Sequence, residues 1–319
     1  MKKILAADIG GTNSRFAAFQ VDADHHLSLI STKWLKTRDA GSFYRLLDLL
    51  RASDFPMPLQ QATTAVFAVA GPVENEIYCK PPNIPWEIDG SRLDKDFGIK
   101  RSILINDFAA QAFACRSPII ETAQKVVSGR IDPSKPLAVI GAGTGLGHSV
   151  LLPLQKGGYV ALSSEGGHAT CPFESEVEFD FMAFLARQTG EPYVRAETVV
   201  TGGGLSLIHR YLTGEKLEPA QVAAALADDS ETLKWAARFY GRVARNFALQ
   251  VLAHGGVYIA GGVAAKIPRL VTHTEFESAF RSTSTMAHVI DEIPVFLNTN
   301  EESGLWGAAL RGIQMIRNG

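Results

Sequence analysis

The feature that most constrains the fold is a pattern that occurs twice: an apolar strand runs into a glycine-rich turn, and a second apolar strand leaves it. The first copy covers residues 4–21 and turns at residues 10–13, and the second covers residues 137–152 and turns at residues 141–147. A repeated supersecondary unit is typical of an internally duplicated fold. Because other strands and amphipathic helices lie between and after the copies, the sequence predicts a duplicated α/β protein.

Both glycine turns are candidate phosphate-binding sites, since glycines let backbone N–H groups form a concave anion nest that phosphate oxygens can approach closely. The second turn does not match the dinucleotide fingerprint G-x-G-x-x-G, and a strand follows it where a Rossmann site needs a helix. A P-loop is excluded because the chain has no Gly-Lys dipeptide. Plain structural turns remain the alternative. The candidate residues are Gly10, Gly11, Thr12 and Asn13 in the first turn and Gly141, Gly143, Thr144 and Gly145 in the second.

Two further features suit a nucleotide site. Asp8 ends the strand before the first turn, where its carboxylate is placed to hold a hydrated Mg²⁺ ion, which keeps its waters and uses few carboxylates. Gly261 and Gly262 end an apolar strand at residues 257–260. Such a turn can pass flat against an adenine ring, or it simply starts a helix.

Asn106 and Asp107 follow a short apolar strand at residues 102–105 and precede a run of helix formers. In open α/β sheets, ligands bind at this edge. A turn with a helix N-cap is the alternative interpretation, because Asn and Asp favour both. The two glycine turns and a downstream Glu-Gly-Gly-His favour a catalytic role for the pair.

Glu165 and His168 flank two glycines, and Glu197 follows. Carboxylates accept hydrogen bonds, imidazole can donate them, and glycines permit close approach, so the group suits recognition of vicinal hydroxyls. A structural histidine is the alternative. The zinc-peptidase motif H-E-x-x-H and the hydrolase motif G-x-S-x-G are absent, which disfavours both hydrolase classes.

Composition limits the remaining functions. The 319 residues suggest two domains, and a net charge of −2 indicates no nucleic-acid or membrane partner. No apolar run reaches the length of a signal-peptide core or a membrane helix. The three cysteines, Cys79, Cys115 and Cys171, have no C-x-x-C spacing and are expected to be reduced thiols in a cytoplasmic protein.

Taken together and in order, these segments resemble the bacterial glucokinase family, a branch of the sugar kinase/Hsp70/actin superfamily that is distinct from the ROK kinases. The resemblance implies a duplicated ribonuclease H-like/actin-like ATPase fold with two lobes around a central cleft. It also implies a homodimer, and no zinc, because only Cys171 follows the Gly-His. The segments that carry it are residues 8–13, 70–72, 106–108, 141–147, 165–168, Glu197 and 259–262.

The resemblance further implies ATP-dependent phosphorylation of glucose at its 6-hydroxyl, with ATP held by both turns and by Gly261 and Gly262. Phosphoryl transfer needs positioning and a proton acceptor, so Asp107 is the expected general base. The implied sugar contacts are Asn106, Asp107, Glu165, His168 and Glu197. A kinase of another hexose or an amino sugar, and a sugar-responsive non-catalytic regulator, remain the alternatives.

The duplicated strand–turn–strand units suggest two domains, and the pattern of apolar residues predicts the helices and strands. We expect a small α/β domain at residues 1–116, completed by a C-terminal helix at 303–319, and a large α/β domain at residues 117–302. Glycines are expected to cap one long helix at residues 254–256 and to break the chain at residues 201–204. The main predicted helices cover residues 43–51, 91–97, 108–114, 177–187, 232–253 and 303–317.

Overall fold

The computed structural model describes residues 1–317. The chain divides into two compact units: unit 1 consists of Met1–Glu121 and the segment that begins at Glu301, and unit 2 is Thr122–Asn300. Residues 318 and 319 of the predicted C-terminal helix lie outside the described part of the chain.

Strands occur in both units. In chain order they are β1 (Lys2–Ile9), β2 (Asn13–Val21), β3 (Leu27–Lys36), β4 (Thr64–Val69), β5 (Val73–Glu74), β6 (Tyr78–Cys79), β7 (Ile88–Asp89), β8 (Ser102–Asn106), β9 (Gln124–Val127), β10 (Leu137–Ala142), β11 (Leu146–Pro153), β12 (Tyr159–Ser164), β13 (Val257–Ala260) and β14 (Val295–Leu297).

Helices also occur in both units. In chain order they are α1 (Phe43–Ala52), α2 (Leu93–Phe97), α3 (Asp107–Ala114), α4 (Glu176–Thr189), α5 (Ala196–Val199), α6 (Gly202–Thr213), α7 (Pro219–Ala225), α8 (Glu231–Val251), α9 (Gly262–Lys266), α10 (Arg269–Thr272), α11 (Thr274–Arg281), α12 (Ala287–Ile290) and α13 (Ser303–Arg317).

Unit 1 is built on a five-stranded sheet in the order β3-β2-β1-β4-β8. All six residues of β4 are buried, as expected for a central strand that is covered on both faces. Strands β1, β4 and β8 run parallel, and Ile9 lies level with Val69, which lies level with Asn106. The carboxyl ends of three strands therefore meet at one edge of this sheet.

Unit 2 is built on a six-stranded sheet in the order β12-β11-β10-β13-β14-β9. Strands β12, β11 and β10 are antiparallel, and β13 and β14 continue parallel to β10. This repeats the arrangement of β3, β2, β1, β4 and β8 in unit 1. The predicted duplication is therefore confirmed, with the strand–turn–strand pattern at the corresponding place in each sheet.

Most predicted helices and strands are present within one or two residues of their expected bounds. One exception is the end of α8, where Leu252 takes the left-handed conformation, with φ 49, and caps the helix before the glycines are reached. Another is residues 201–204: Oγ1 of Thr201 accepts a hydrogen bond from the Gly204 N–H, so the glycines begin α6 instead of ending a segment.

Among the helices of residues 1–317, none is both long and apolar enough to cross a bilayer. The three cysteines are free thiols, and all are buried.

Candidate active site

The carboxyl edge of the unit 1 sheet collects several predicted site residues. Asp8 lies level with Ala68 near the end of β1, and Asn106 ends β8 next to the end of β4. The Asn106 amide Nδ2 donates to the Gly71 carbonyl at 3.1 Å. This bond ties the Ala-Gly-Pro segment at residues 70–72 to the start of α3.

Asn106 is the N-cap of α3. Its Oδ1 accepts from the N–H groups of Phe108 at 2.9 Å and Ala109 at 3.3 Å. The Asn106 side chain therefore caps α3, and these hydrogen bonds fix the orientation of its amide.

Asp107 is the first residue of α3 and is half-buried. Its Oδ1 accepts from the Phe108 N–H at 3.0 Å. Burial, and then the negative charge of Asp107, raise the pKa of the Cys79 thiol to about 11. The structure therefore holds a carboxylate at the sheet edge, where the sequence predicted the reacting group.

Thr37 stabilises the first glycine turn through hydrogen bonds to its backbone. This residue was not among those predicted from the sequence. The Thr37 hydroxyl donates to the Gly10 carbonyl at 2.7 Å, and the Thr37 N–H donates to the Thr12 carbonyl at 3.1 Å. Gly11 lies against the loop that carries Asn83: a Cβ on Gly11 would be 2.9 Å from the Asn83 carbonyl oxygen. The turn is therefore constrained on two sides, and no sequence motif marks Thr37.

Asp8 and Arg15 face each other on β1 and β2, with Arg15 Nη1 3.4 Å from Asp8 Oδ2. Burial raises the pKa of Asp8, and the Arg15 charge opposes this effect. Arg15 donates a hydrogen bond to one oxygen of this carboxylate, and a divalent ion, as a stronger local charge, could bind the partly buried group as well. Asp8 therefore fits the predicted role of a ligand to hydrated Mg²⁺.

In unit 2 the second glycine turn closes with a hydrogen bond from the Gly143 N–H to the Gly145 carbonyl at 2.8 Å. A Cβ on Gly143 would meet no atom of the described residues within 4 Å, so this side of the turn is open. The sequence position of Gly141 is within β10, which places it in the sheet and not in the turn itself.

Gly261 follows β13, and its φ of +87 belongs to the left-handed region that favours glycine. A Cβ there would be 2.6 Å from the Ala142 carbonyl oxygen, so Gly261 allows β13 to leave the sheet beside the second turn. Gly262 begins α9. The pair therefore starts a helix, and its contact with an adenine ring stays a prediction.

The predicted sugar-binding group of unit 2 comes together around Arg195. Nε2 of His168 lies 3.9 Å from Glu165 Oε2 and 3.8 Å from Glu197 Oε1. Arg195 Nη1 contacts both Glu197 Oε1, at 2.5 Å, and His168 Nδ1, at 3.0 Å. The sequence reading missed Arg195, and the only available signal was a basic residue between Glu191 and Glu197.

Glu197 of the predicted sugar-binding group also lies against the second glycine turn. A Cβ on Gly145 would be 3.2 Å from Glu197 Oε2. Next to them lies a cavity of about 470 Å³, whose lining includes Thr144, Arg195 and the first turn of α6. Unit 2 therefore places the second glycine turn, the Glu197 carboxylate and a cavity side by side.

Known proteins of one family match nearly the whole chain. The family model described as Glucokinase matches residues 5–315. A glucokinase of Nostoc punctiforme is 30% identical over 342 residues, covering 97% of this chain and 98% of the relative. A glucokinase of Chromobacterium violaceum is 32% identical, with 96% of this chain and 88% of the relative covered.

Solved structures give the same result. A glucokinase from an Antarctic psychrotroph superimposes with a TM-score of 0.85 at 27% identity, and both chains are covered completely. A glucokinase of Balamuthia mandrillaris, solved with glucose, shares the fold with a TM-score of 0.78 at 21% identity over 98% of this chain and 94% of that one. The predicted fold class, an α/β actin-like ATPase fold, is confirmed. The chain belongs to the glucokinase family.

Proposed function

We propose that the chain is a hexokinase-type phosphotransferase that moves the γ-phosphoryl group of ATP to the 6-hydroxyl of glucose, giving glucose 6-phosphate and ADP. Its membership of the glucokinase family supports this reaction. The observation that carries the proposal is the contact between Gly145 and Glu197, which joins a turn suited to phosphate with a carboxylate suited to a sugar hydroxyl.

In unit 1, Asp107 is the proposed general base. It accepts the proton of the 6-hydroxyl while that oxygen attacks the γ-phosphorus in line. Its place at the first turn of α3, with Asn106 fixed as the cap beneath it, supports a defined carboxylate orientation. Asn106 is proposed to contact the sugar as well.

In unit 2, Glu165, His168 and Glu197 are proposed to hold the other hydroxyls of the sugar. Glu165 Oε2 and Glu197 Oε1 each lie within 4 Å of His168 Nε2, a spacing that suits hydrogen bonds to hydroxyl groups placed near this nitrogen. Orientation of this kind contributes about 7–11 kcal/mol to lowering the barrier of a two-substrate reaction.

ATP is the proposed phosphoryl donor, held by residues 10–13, by residues 141–145 and by Gly261 and Gly262. The open side of Gly143 supports close approach of a phosphate at the second turn. Asp8 is the proposed ligand of a hydrated Mg²⁺ ion. When bound, the ion neutralises charge on the phosphate oxygens.

A hexose panel with Mg·ATP tests the proposal. ADP release in a coupled assay is expected with glucose, and weaker turnover with sugars that differ from glucose in one hydroxyl group. Faster turnover with another hexose or an amino sugar would favour the alternative kinase. Binding of glucose without any ADP release would favour a non-catalytic regulator.

Two further properties stay predictions. The resemblance implies a homodimer, which light scattering after size-exclusion chromatography would test. The burial of all three free cysteines is compatible with the reducing cytoplasm that the sequence suggests.

A further inference from the structure

Arg195 uses both edges of its guanidinium group. On one edge, Nε donates to Glu191 Oε2 at 3.1 Å, and Nη2 donates to Glu191 Oε1. On the other edge, Nη1 donates to Glu197 Oε1 at 2.5 Å and contacts His168 Nδ1 at 3.0 Å. Glu191 therefore holds the planar group in place while Nη1 joins two residues of the proposed sugar site.

The chemistry of this contact fixes the proton on the imidazole ring. A guanidinium nitrogen carries only donors and has no acceptor. His168 Nδ1 must therefore accept the hydrogen bond through its lone pair, and the ring proton of neutral His168 lies on Nε2. In the other tautomer, an N–H of the ring would point at an N–H of Arg195.

Backbone hydrogen bonds hold the segment that carries His168 next to the segment that carries Arg195 and Glu197. Thr170 and Arg195 form a β-bridge, and the Ala196 N–H donates to the Ala169 carbonyl at 2.8 Å. The Tyr193 hydroxyl also donates to the His168 carbonyl at 3.1 Å. The segment after His168 and the segment before Glu197 are thereby held side by side.

We propose that Arg195 is a positioning residue that holds His168 as the Nε2–H tautomer, so that His168 donates to a sugar hydroxyl while Glu197 accepts from one. The proposal rests on the sugar-binding role given above to these two residues. It assigns complementary hydrogen-bonding roles to atoms that lie 3.8 Å apart, His168 Nε2 and Glu197 Oε1. A hydroxyl group can both donate and accept hydrogen bonds, so it suits a donor and an acceptor at this spacing.

The tautomer is measured directly by ¹⁵N NMR of histidine-labelled protein. The chain has 8 histidines, so the ring signals of His168 are assigned by their loss in His168→Gln. We expect a protonated Nε2 and an unprotonated Nδ1 at neutral pH without glucose. A proton on Nδ1 in the wild-type protein would overturn the proposal, and this measurement requires no Arg195 variant to fold.

Variants of Arg195 test the positioning role. In Arg195→Met we expect a mixture of tautomers and a KM for glucose that rises about tenfold, with a smaller change in kcat, because a hydrogen bond involving a charged group is lost. Arg195→Lys keeps the charge but not the planar fork, so it is expected to lie between Arg195→Met and the wild type. Arg187→Met removes an exposed arginine of α4 as the matched control and is expected to change neither quantity.

The outcomes separate this inference from the proposed function. Wild-type-like His168 signals in Arg195→Met would overturn the inference, whatever its kinetics. A lost tautomer preference with an unchanged KM for glucose would overturn the positioning role, although the wild-type protein would still phosphorylate glucose. Failure of the wild-type protein to phosphorylate any hexose would instead refute the proposed function, and the NMR result on the Arg195–His168 pair would stand.

Discussion

Gly145 lies directly against Glu197: a Cβ built on Gly145 would be 3.2 Å from the Oε2 atom of that carboxylate. The contact joins the turn between β10 and β11 to the first turn of α5. A Cβ at residue 145 must therefore shift the Glu197 carboxylate by a few tenths of an ångström, whereas a Cβ at Gly143 meets no atom within 4 Å among the described residues.

This difference makes two alanine substitutions a matched pair. We expect Gly145→Ala to raise the KM for glucose, because a displaced Glu197 loses its position for a sugar hydroxyl. We expect Gly143→Ala to raise the KM for ATP, because its methyl group would occupy the open side of the turn where phosphate is proposed to approach. Steady-state kinetics with each substrate varied in turn would measure both.

Thermal unfolding of the two glycine variants provides the control. Gly143→Ala is expected to unfold at the wild-type temperature, since its methyl group meets open space. The assignment of phosphate to this turn would be wrong if Gly143→Ala kept the wild-type KM for ATP.

Asp107→Ala is expected to lower kcat by about 10²–10⁴-fold, the usual contribution of a general base. Glucose binding, measured by calorimetry, should persist because the residues proposed to hold the other hydroxyls are unchanged. Asp94→Ala, which removes an exposed carboxylate from α2, is the control and should keep wild-type turnover. Near-normal kcat in Asp107→Ala would exclude Asp107 as the base.

Glu165→Gln is expected to act mainly on sugar affinity. The substitution replaces a charged acceptor with a neutral amide of the same shape, so the KM for glucose should rise about tenfold while kcat changes less. Glu176→Gln, at an exposed position in the first turn of α4, is the matched control. An unchanged KM for glucose would refute the proposed contact.

His148 predicts a pH dependence of stability. It is buried on β11, its ring packs edge-on against Phe247 at 4.5 Å, and burial lowers its pKa from 6.5 to about 4. The folded state therefore favours the neutral ring. Its contribution to stability is complete above pH 6.5 and is lost as the pH falls towards the folded pKa of about 4, by up to about 3 kcal/mol.

Urea unfolding at neutral pH and at a pH between the two values would measure this effect. His148→Gln has no titrating group at this position, so its free energy of unfolding should fall less than that of the wild type between the two pH values. His288→Gln, which removes an exposed histidine, should keep the wild-type dependence. An equal decrease in the free energy of unfolding of all three proteins between the two pH values would show that His148 is not the cause.

The sequence was most informative about elements with a regular local pattern. Strand β13 and helix α13 have the bounds that their apolar residues predicted, because burial on one face or along a whole strand leaves a direct periodic signal. It was least informative where one residue could serve two structures. Three glycines at residues 202–204 look like a break, but the Thr201 hydroxyl caps them into the first turn of α6.

The candidate site divides in the same way. The sequence by itself determined the two strand–turn–strand units and the types of side chain at their ends. Glycine turns, apolar strands and flanking carboxylates can each be recognised from residues that are neighbours in the chain. Only the tertiary structure decided that Thr37 supports the first turn and that Arg195 joins His168 to Glu197. These partners are brought together by the packing of segments that are distant in the chain, and no local pattern records which distant side chains will meet.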